Sequence, residues 1–433
     1  MRKNKIDIIS LGCSKNLVDS EHLMRQFSEY GYTLEHNPSE VNGEIVVVNT
    51  CGFIQDAQEE SIEMILRLVD AKREGKIKRL YVMGCLAERF LADLQNEPEF
   101  ADVDHFYGKF SWTEMLADLG KAYKQDIANE RVLTTPRHYA YVKISEGCNR
   151  FCAFCAIPLI TGRHKSVPME DVLAEVTHLV ECGVKEFNII AQDLSSYGLD
   201  LYGEMRLPEL IDRMAGIPGV EWIRLHYAYP TQFPYEILPV MARHANVCKY
   251  LDIALQHISD KVLENMRRHI TKEETIALVK RLRDEVPGIH IRTTLMVGFP
   301  GEGEEEFEEL KQFVKEAKFD RMGAFAYSEE EGTYGAKHYE DVISDEVKQS
   351  RLEELMDIQQ EIALELNEAK VGTVQRVIID DEDADYYIGR TQYDSPEVDP
   401  EVLITKDKPL EIGEFYDVTI TEALPYELMG EVK

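Results

Sequence analysis

Glu146-Gly147-Cys148-Asn149-Arg150-Phe151-Cys152-Ala153-Phe154-Cys155 places three cysteines within eight residues at the spacing C-x3-C-x2-C. The stretch directly follows the strand-like run Tyr139–Ile144. Cysteine thiolates are the usual ligands of iron–sulfur clusters. Three of them hold three irons of a cubane and leave the fourth iron open. An open position separates a site that does chemistry from a closed structural one. The alternative is a structural zinc ion, but a well-spaced fourth ligand is missing: the next histidine, His164, stands nine positions beyond Cys155.

The stretch resembles the signature of the radical S-adenosylmethionine superfamily, in which an aromatic residue, here Phe154, precedes the last cysteine. The resemblance implies that the open iron is chelated by the amino and carboxylate groups of S-adenosylmethionine. It also implies that an electron from the cluster cleaves this cofactor and releases a deoxyadenosyl radical.

Outward from the cysteines, strands alternate with helices. Tyr139–Ile144, Glu186–Ala191, Trp222–Leu225, Tyr250–Ile253, His290–Val297 and Met322–Ala326 read as strands. Helical patterns cover Met169–Cys182, Pro208–Met214, Tyr235–Ala242, Ser259–Met266, Lys272–Glu285 and Glu304–Lys318. Six such units predict a partial (β/α)6 barrel with its chemistry at the C-terminal ends of the strands, where the cysteine loop falls. Gln192-Asp193, His226-Tyr227, Gln256-His257 and Gly298 close other strands and are candidates to line a cofactor pocket. We assign cofactor contacts to Phe154, Gln192 and Gln256; for each strand-end group, an ordinary turn or satisfied core residue is the alternative. Gly298–Gly303 lacks the lysine of a phosphate loop, and glutamates 304–306 suit a helix start.

Residues 5–123 alternate in the same way. Ile6–Leu11, Glu44–Asn49, Leu80–Met83 and Val103–Tyr107 read as buried parallel strands, and Leu17–Tyr30, Asp56–Glu74, Ala87–Gln95 and Trp112–Tyr123 as helices. The pattern predicts an open parallel α/β sheet. Leu11-Gly12-Cys13, Asn49-Thr50-Cys51 and Met83-Gly84-Cys85 end three of these strands with a cysteine. Parallel strands bring such turns to one sheet edge, where ligands of open α/β sheets bind. Glycines 12, 52 and 84 are expected to let backbone approach a bulky cofactor. One such thiol alone reads as an inert buried cysteine; three at equivalent positions point to a second cluster. Cys182 and Cys248 are expected to be buried thiols without a role.

Residues 124–138 read as a linker. Asp345–Lys370 carries Leu352, Leu355, Ile358, Ile362 and Leu366 at helical spacing, a packing stripe. Beyond Gly372 the period becomes two, and Thr373–Ile379, Tyr386–Thr391, Glu401–Thr405 and Phe415–Glu422 predict a small antiparallel β-barrel of the oligonucleotide-binding (OB) kind. The 433 residues carry 48 Lys+Arg against 80 Asp+Glu, net −32, and residues 370–433 carry 6 against 16. Such acidity repels phosphate backbones and favours basic partners, unless it serves solubility alone. Met1-Arg2-Lys3-Asn4-Lys5 runs into a strand without the apolar core of a signal peptide, and no membrane span is visible. A cytoplasmic setting is expected, so the eight cysteines read as metal ligands or buried thiols rather than disulfides.

With both cysteine sets placed, the whole chain resembles the methylthiotransferases. The resemblance implies an N-terminal domain over 1–125, a radical S-adenosylmethionine partial barrel over 137–367 and a TRAM barrel over 370–433. It implies two [4Fe–4S] clusters, one on Cys148, Cys152 and Cys155, and an auxiliary one on Cys13, Cys51 and Cys85 that delivers sulfur. No catalytic side chain beyond these ligands is implied. One branch of the family modifies adenosine in transfer RNA and usually has Gln-Met after the first cysteine. Leu11–Glu21, Asn49–Ile54 and Gln192-Asp193 look like the other branch, although Leu194 stands where that branch often has threonine. That branch methylthiolates the β-carbon of an aspartate in small-subunit ribosomal protein twelve, with S-adenosylmethionine as both methyl donor and radical source. The implied partners are this basic protein and a low-potential electron donor, with no membrane and no nucleic acid as substrate. Methylthiolation of transfer RNA, and a non-enzymatic metal-binding adaptor with an OB-like module, are the competing readings.

Overall fold

A computed structural model describes residues Arg2–Lys433. The N-terminal sheet has five parallel strands: β1 (Arg2–Ser10), β2 (Thr33–His36), β3 (Gly43–Thr50), β4 (Arg79–Gly84) and β5 (His105–Phe106). Their order is β2-β1-β3-β4-β5. Alternate side chains of each strand enter different cores, as the period of two requires. Val46, Val48 and Val82 pack beneath α2 (Gln55–Arg73) and α3 (Cys85–Asn96), while Ile8, Val47 and Met83 pack beneath α1 (Ser14–Glu29). Burial on both faces explains why these strands read as unbroken apolar runs. β2 escaped the sequence reading because it is a four-residue edge strand whose residues alternate exposed and half-buried. The helix expected over Trp112–Tyr123 ends at Asp118, because the chain turns at Gly120 with φ of +71°.

The second sheet has six parallel strands: β6 (Tyr139–Lys143), β9 (Glu186–Ile190), β10 (Trp222–Ala228), β11 (Val247–Ile253), β12 (His290–Val297) and β13 (Arg321–Ala326). A short ribbon of β7 (Ser145–Glu146) and β8 (Lys165–Ser166) precedes β9. The order runs from β13 through β9 to β6, so the barrel is open between β6 and β13. The edge at β6 is covered by α1, whose Val18 packs on Tyr139, Tyr141 and Ile190. Lys143 on β6 also pairs with Asp19 of α1.

The C-terminal strands β14 (Val374–Glu382), β15 (Tyr386–Thr391), β16 (Glu401–Thr405), β17 (Phe415–Ala423) and β18 (Glu427–Val432) close a small barrel. β18 is a strand the sequence reading lacked, and its pairing with β16 is parallel, so the barrel is not wholly antiparallel. It docks at the start of the barrel strands, away from the cysteine loop. Arg390 bridges Glu186 at 2.8 Å and Asp380 at 2.5 Å, Arg321 pairs with Asp394 at 2.6 Å, and Arg292 pairs with Asp399. Part of the acidity counted in residues 370–433 is therefore internal cement and does not face solvent. Among the described residues, no helix is long and apolar enough to cross a membrane.

Candidate functional site

The order of the first sheet makes β1, β3 and β4 neighbours, and each ends at a cysteine turn. Strands about 4.8 Å apart set Cys13, Cys51 and Cys85 side by side along one edge. Cys13 is the N-cap of α1 and Cys85 the first residue of α3, so two of the thiols stand at helix starts. A Cβ on Gly12 would lie 2.7 Å from Cys51 Cβ, one on Gly52 would lie 2.7 Å from the Leu86 backbone, and one on Gly84 would lie 2.5 Å from the Thr50 carbonyl oxygen. These glycines let the three turns pack on one another. Asn16 ties the turns together: its amide donates to the Leu11 and Thr50 carbonyls at 3.1 and 3.0 Å, while the Cys85 thiol and Lys109 donate to its oxygen at 3.4 and 3.3 Å.

In the barrel, the C-x3-C-x2-C loop follows β6. Gly147 turns with φ of +80°, and a Cβ there would meet the Arg163 carbonyl oxygen at 2.3 Å. The loop is pinned by Cys148 N–H donating to Gly162 and Ala153 N–H donating to Met266. Arg268, buried, donates to Cys152 Sγ at 3.3 Å, and the Tyr229 hydroxyl lies 3.4 Å from the same sulfur. Arg150 is held by Asp193 at 2.7 Å and lies over the Tyr229 ring.

The C-terminal edges of the two sheets face one another across a cavity of about 350 Å³ lined by all six cysteines: Cys13, Cys51, Cys85, Cys148, Cys152 and Cys155. Phe154, Gln192 and Gln256 line it too, with Ala191, Ala228 and Ala254 leaving room at three strand ends. The Gln192 and Gln256 side-chain oxygens are buried without hydrogen-bond partners, as acceptors kept for a ligand would be. Of the other strand-end groups, Tyr227 reaches the cavity. His226 is turned to Asn188 at 3.1 Å, His257 to Glu302 at 3.1 Å, Asp193 to Arg150, and Gly298 packs on Lys348. Among the described residues, no three His, Cys, Asp or Glu side chains close on the geometry of a single ion. The thiols instead ring a space, which fits a body wider than one ion.

Burial pushes the thiols of Cys85 and Cys148 up to about 12 and raises those of Cys51 and Cys155. Cys13 moves the other way. Its partial desolvation at the cavity wall is outweighed by Lys15, the Asn16 N–H and Lys109, which hold its thiol below the usual range. Iron coordination deprotonates a thiol outright, so protons leave such a site as it fills.

Sequence reasoning missed the groups that join the two triads. Lys109 lies 3.7 Å from Cys85 Sγ, pairs with Asp19 at 3.2 Å and reaches Glu146 at 3.8 Å; Glu146 in turn accepts from Gln192. Asn16 and Lys15, so close to Cys13, were signals within reach, whereas nothing local marks Lys109 or Arg268. Of the two leftover thiols, Cys248 is buried as expected, but Cys182 is exposed because it caps the end of a surface helix.

Three family models match the chain: "Radical SAM superfamily" over residues 142–314, "Uncharacterized protein family UPF0004" over 5–108 and "TRAM domain" over 371–432. A protein of Parabacteroides distasonis is 64% identical over 432 residues, and one of Phocaeicola vulgatus is 65% identical over 433, each alignment covering 100% of both chains. Both are called ribosomal protein uS12 methylthiotransferase RimO. Among solved structures, the radical S-adenosylmethionine methyltransferase TsrM of Kitasatospora setae superposes with a TM-score of 0.54 at 15% identity, covering 75% of this chain and 72% of that one. The cobalamin-dependent radical enzyme OxsB gives 0.52 at 12%, covering 80% and 56%. These two similarities concern the fold.

Proposed function

This chain belongs to the RimO family of ribosomal protein uS12 methylthiotransferases, and on that premise we propose that it methylthiolates the β-carbon of an aspartate in protein uS12. It is a radical S-adenosylmethionine transferase, and its family implies a [4Fe–4S] cluster and S-adenosylmethionine. We assign that cluster to Cys148, Cys152 and Cys155, and a second, auxiliary cluster to Cys13, Cys51 and Cys85. The supporting observation is that both triads line one cavity, so groups held by them meet without a long transfer. When bound, these groups supply one-electron chemistry that breaks an unactivated C–H bond, and the sulfur that replaces the hydrogen.

The protein supplies placement. Gln192 and Gln256 offer their unpartnered oxygens to the amino group of S-adenosylmethionine, and Phe154 packs behind the loop against Phe299. Arg268 donates to Cys152 Sγ and is fixed by the Ala254 carbonyl, which sets the orientation of that sulfur. Tyr229, stacked under Arg150 and Arg268, walls the cavity against water. The modules over 1–125, 137–367 and 370–433 then divide the work into sulfur delivery, radical formation and partner contact. The setting is cytoplasmic, the electron donor has a low potential, and nucleic acid is not the substrate.

The test incubates anaerobically reconstituted protein, S-adenosylmethionine and reductant with a uS12 loop peptide or with transfer RNA. The peptide is expected to gain a methylthio group by mass spectrometry. Modified transfer RNA beside an untouched peptide overturns the substrate. About eight irons per chain are expected; about four, unchanged by substituting Cys13, Cys51 and Cys85, overturns the second cluster.

A further inference from the structure

Four cationic side chains line the cavity: Lys15, Lys109, Arg150 and Arg268. Three have partners. Lys109 pairs with Asp19, Arg150 with Asp193, and Arg268 donates to Cys152 Sγ and the Ala254 carbonyl. Lys15 is different. Its side chain is only 9% exposed, yet among the described residues its ammonium makes no ion pair and no hydrogen bond. Its partner is the face of Tyr227, whose ring centroid lies 3.7 Å from Lys15 Nζ. The contact joins the two sheets. Lys15 stands two residues after Cys13 in the first turn of α1, and Tyr227 stands at the C-terminal end of β10 with a left-handed backbone at φ of +65°. Asp252 on β11 feels the charge of Lys15 but sits with Arg292 and Asp399.

Apart from the nearby Cys13 sulfur, whose thiol its charge holds down, the Lys15 ammonium faces the cavity with no ion-pair partner among the described residues, and the aromatic face offsets only part of the cost of that setting. Such a group is retained where its counter-charge arrives with a ligand. The other three cations are saturated, so an incoming carboxylate finds only this one free among the described cavity residues. We propose that Lys15 binds the side-chain carboxylate of the substrate aspartate. The inference rests on the aspartyl-protein reading above. The carboxylate carbon is bonded to the β-carbon, so anchoring it fixes the reacting atom one bond away. It does so beside Cys13, on the auxiliary side of the cavity. Lys15 then serves as a specificity determinant as well as an anchor, because a neutral base or amide leaves its charge buried and unpaired.

The test measures binding by the holoprotein, loaded with both clusters and a non-cleavable S-adenosylmethionine analogue, of fluorescent uS12 loop peptides carrying Asp or Asn at the target position. The wild type is expected to prefer the Asp peptide on the order of 10- to 100-fold, the usual range for a hydrogen bond to a charged group. Lys15→Met is expected to bind both peptides alike, and Lys15→Arg to restore part of the preference. Lys15→Gln repeats the measurement if the methionine variant loads iron poorly. Preference for Asp retained in both neutral variants overturns the proposal. So does a loss of S-adenosylmethionine affinity by equilibrium dialysis, which would assign Lys15 to the cofactor's carboxylate. If the wild type neither discriminates the peptides nor methylthiolates the Asp peptide, the substrate reading itself fails and takes the proposal with it.

Discussion

Removing the carboxylate of Glu330 is expected to uncouple the two halves of the site. Glu330 lies beyond β13, and its carboxylate meets Arg89 of α3 at 3.1 Å, with side-chain exposures of 9% and 5%. Arg89 also donates to the Gly52 carbonyl at 2.9 Å and the Glu331 carbonyl at 2.6 Å, and Gln58 donates to Glu330 at 3.2 Å. The pair thus joins the barrel to the turn after Cys51 and to the helix that begins at Cys85. Breaking one partner of a buried pair costs about 3–5 kcal/mol, because the other charge stays buried and uncompensated. Arg89 keeps two carbonyl acceptors, so Glu330→Gln should fall near the lower end, about 3 kcal/mol. At about 1.4 kcal/mol per factor of ten, that shifts the latched population on the order of 100-fold. The assay compares 5′-deoxyadenosine formed with methylthiolated peptide formed by the reconstituted variant. Iron content near the wild-type value, continued cofactor cleavage and a product ratio reduced at least tenfold are expected, with faster amide exchange over residues 52–58. An unchanged ratio together with unchanged exchange would falsify the latch.

Gly12→Ala should lose the auxiliary cluster selectively, since its Cβ would meet Cys51 at 2.7 Å on a backbone with φ of +86°. Iron analysis should fall from about eight toward about four, two clusters to one; retention of all the iron would refute the close packing of the turns. Arg390→Met should destabilise the docked C-terminal barrel by about 3 kcal/mol, the lower end for breaking a buried pair, because Asp380 loses its arginine while Glu186 keeps Arg224 at 3.0 Å. Limited proteolysis should then cut near residue 370 faster than in the wild type, and an unchanged cleavage rate argues against the interface. His290 is held down to about 4 by burial, which outweighs Asp320 at 3.6 Å. Its folded-state value lies below its unfolded one, so its contribution is full above about pH 6.5 and is lost as pH falls toward 4. Denaturant titration should show the wild type losing about 2 kcal/mol more between pH 7 and pH 5 than His290→Phe; parallel losses would refute the buried neutral imidazole.

Much of the site was legible because its markers are local. Three cysteines in one loop, and one cysteine at each of three strand ends, need no contact information to be noticed. The glutamines at 192 and 256 were legible for the same reason, since a strand end is a position a periodicity reveals. Gln192 and Gln256 reach the cavity, but His226 and His257 beside similar strand ends do not. Which way such a side chain turns depends on neighbours such as Asn188 and Glu302, 38 and 45 residues distant. β2 was missed because a four-residue edge strand leaves little apolar signal, and β18 because only Leu428 and Gly430 of its six residues are buried.

The sequence by itself determined the element types, the parallel sheets and the two sets of thiols, because periodicity and ligand spacing are properties of neighbouring residues. Only the tertiary structure decided that β1, β3 and β4 lie side by side, and that their thiols face the barrel loop across one cavity. It alone showed that the glycines serve loop packing and that part of the C-terminal acidity, Asp394 and Asp399, is spent on Arg321 and Arg292 of the six-stranded barrel. It also left Lys15 as a cavity cation with no ion pair or hydrogen bond among the described residues. Strand order, domain docking and the pairing of charges arise from contacts between residues far apart in the chain, and no local pattern encodes them.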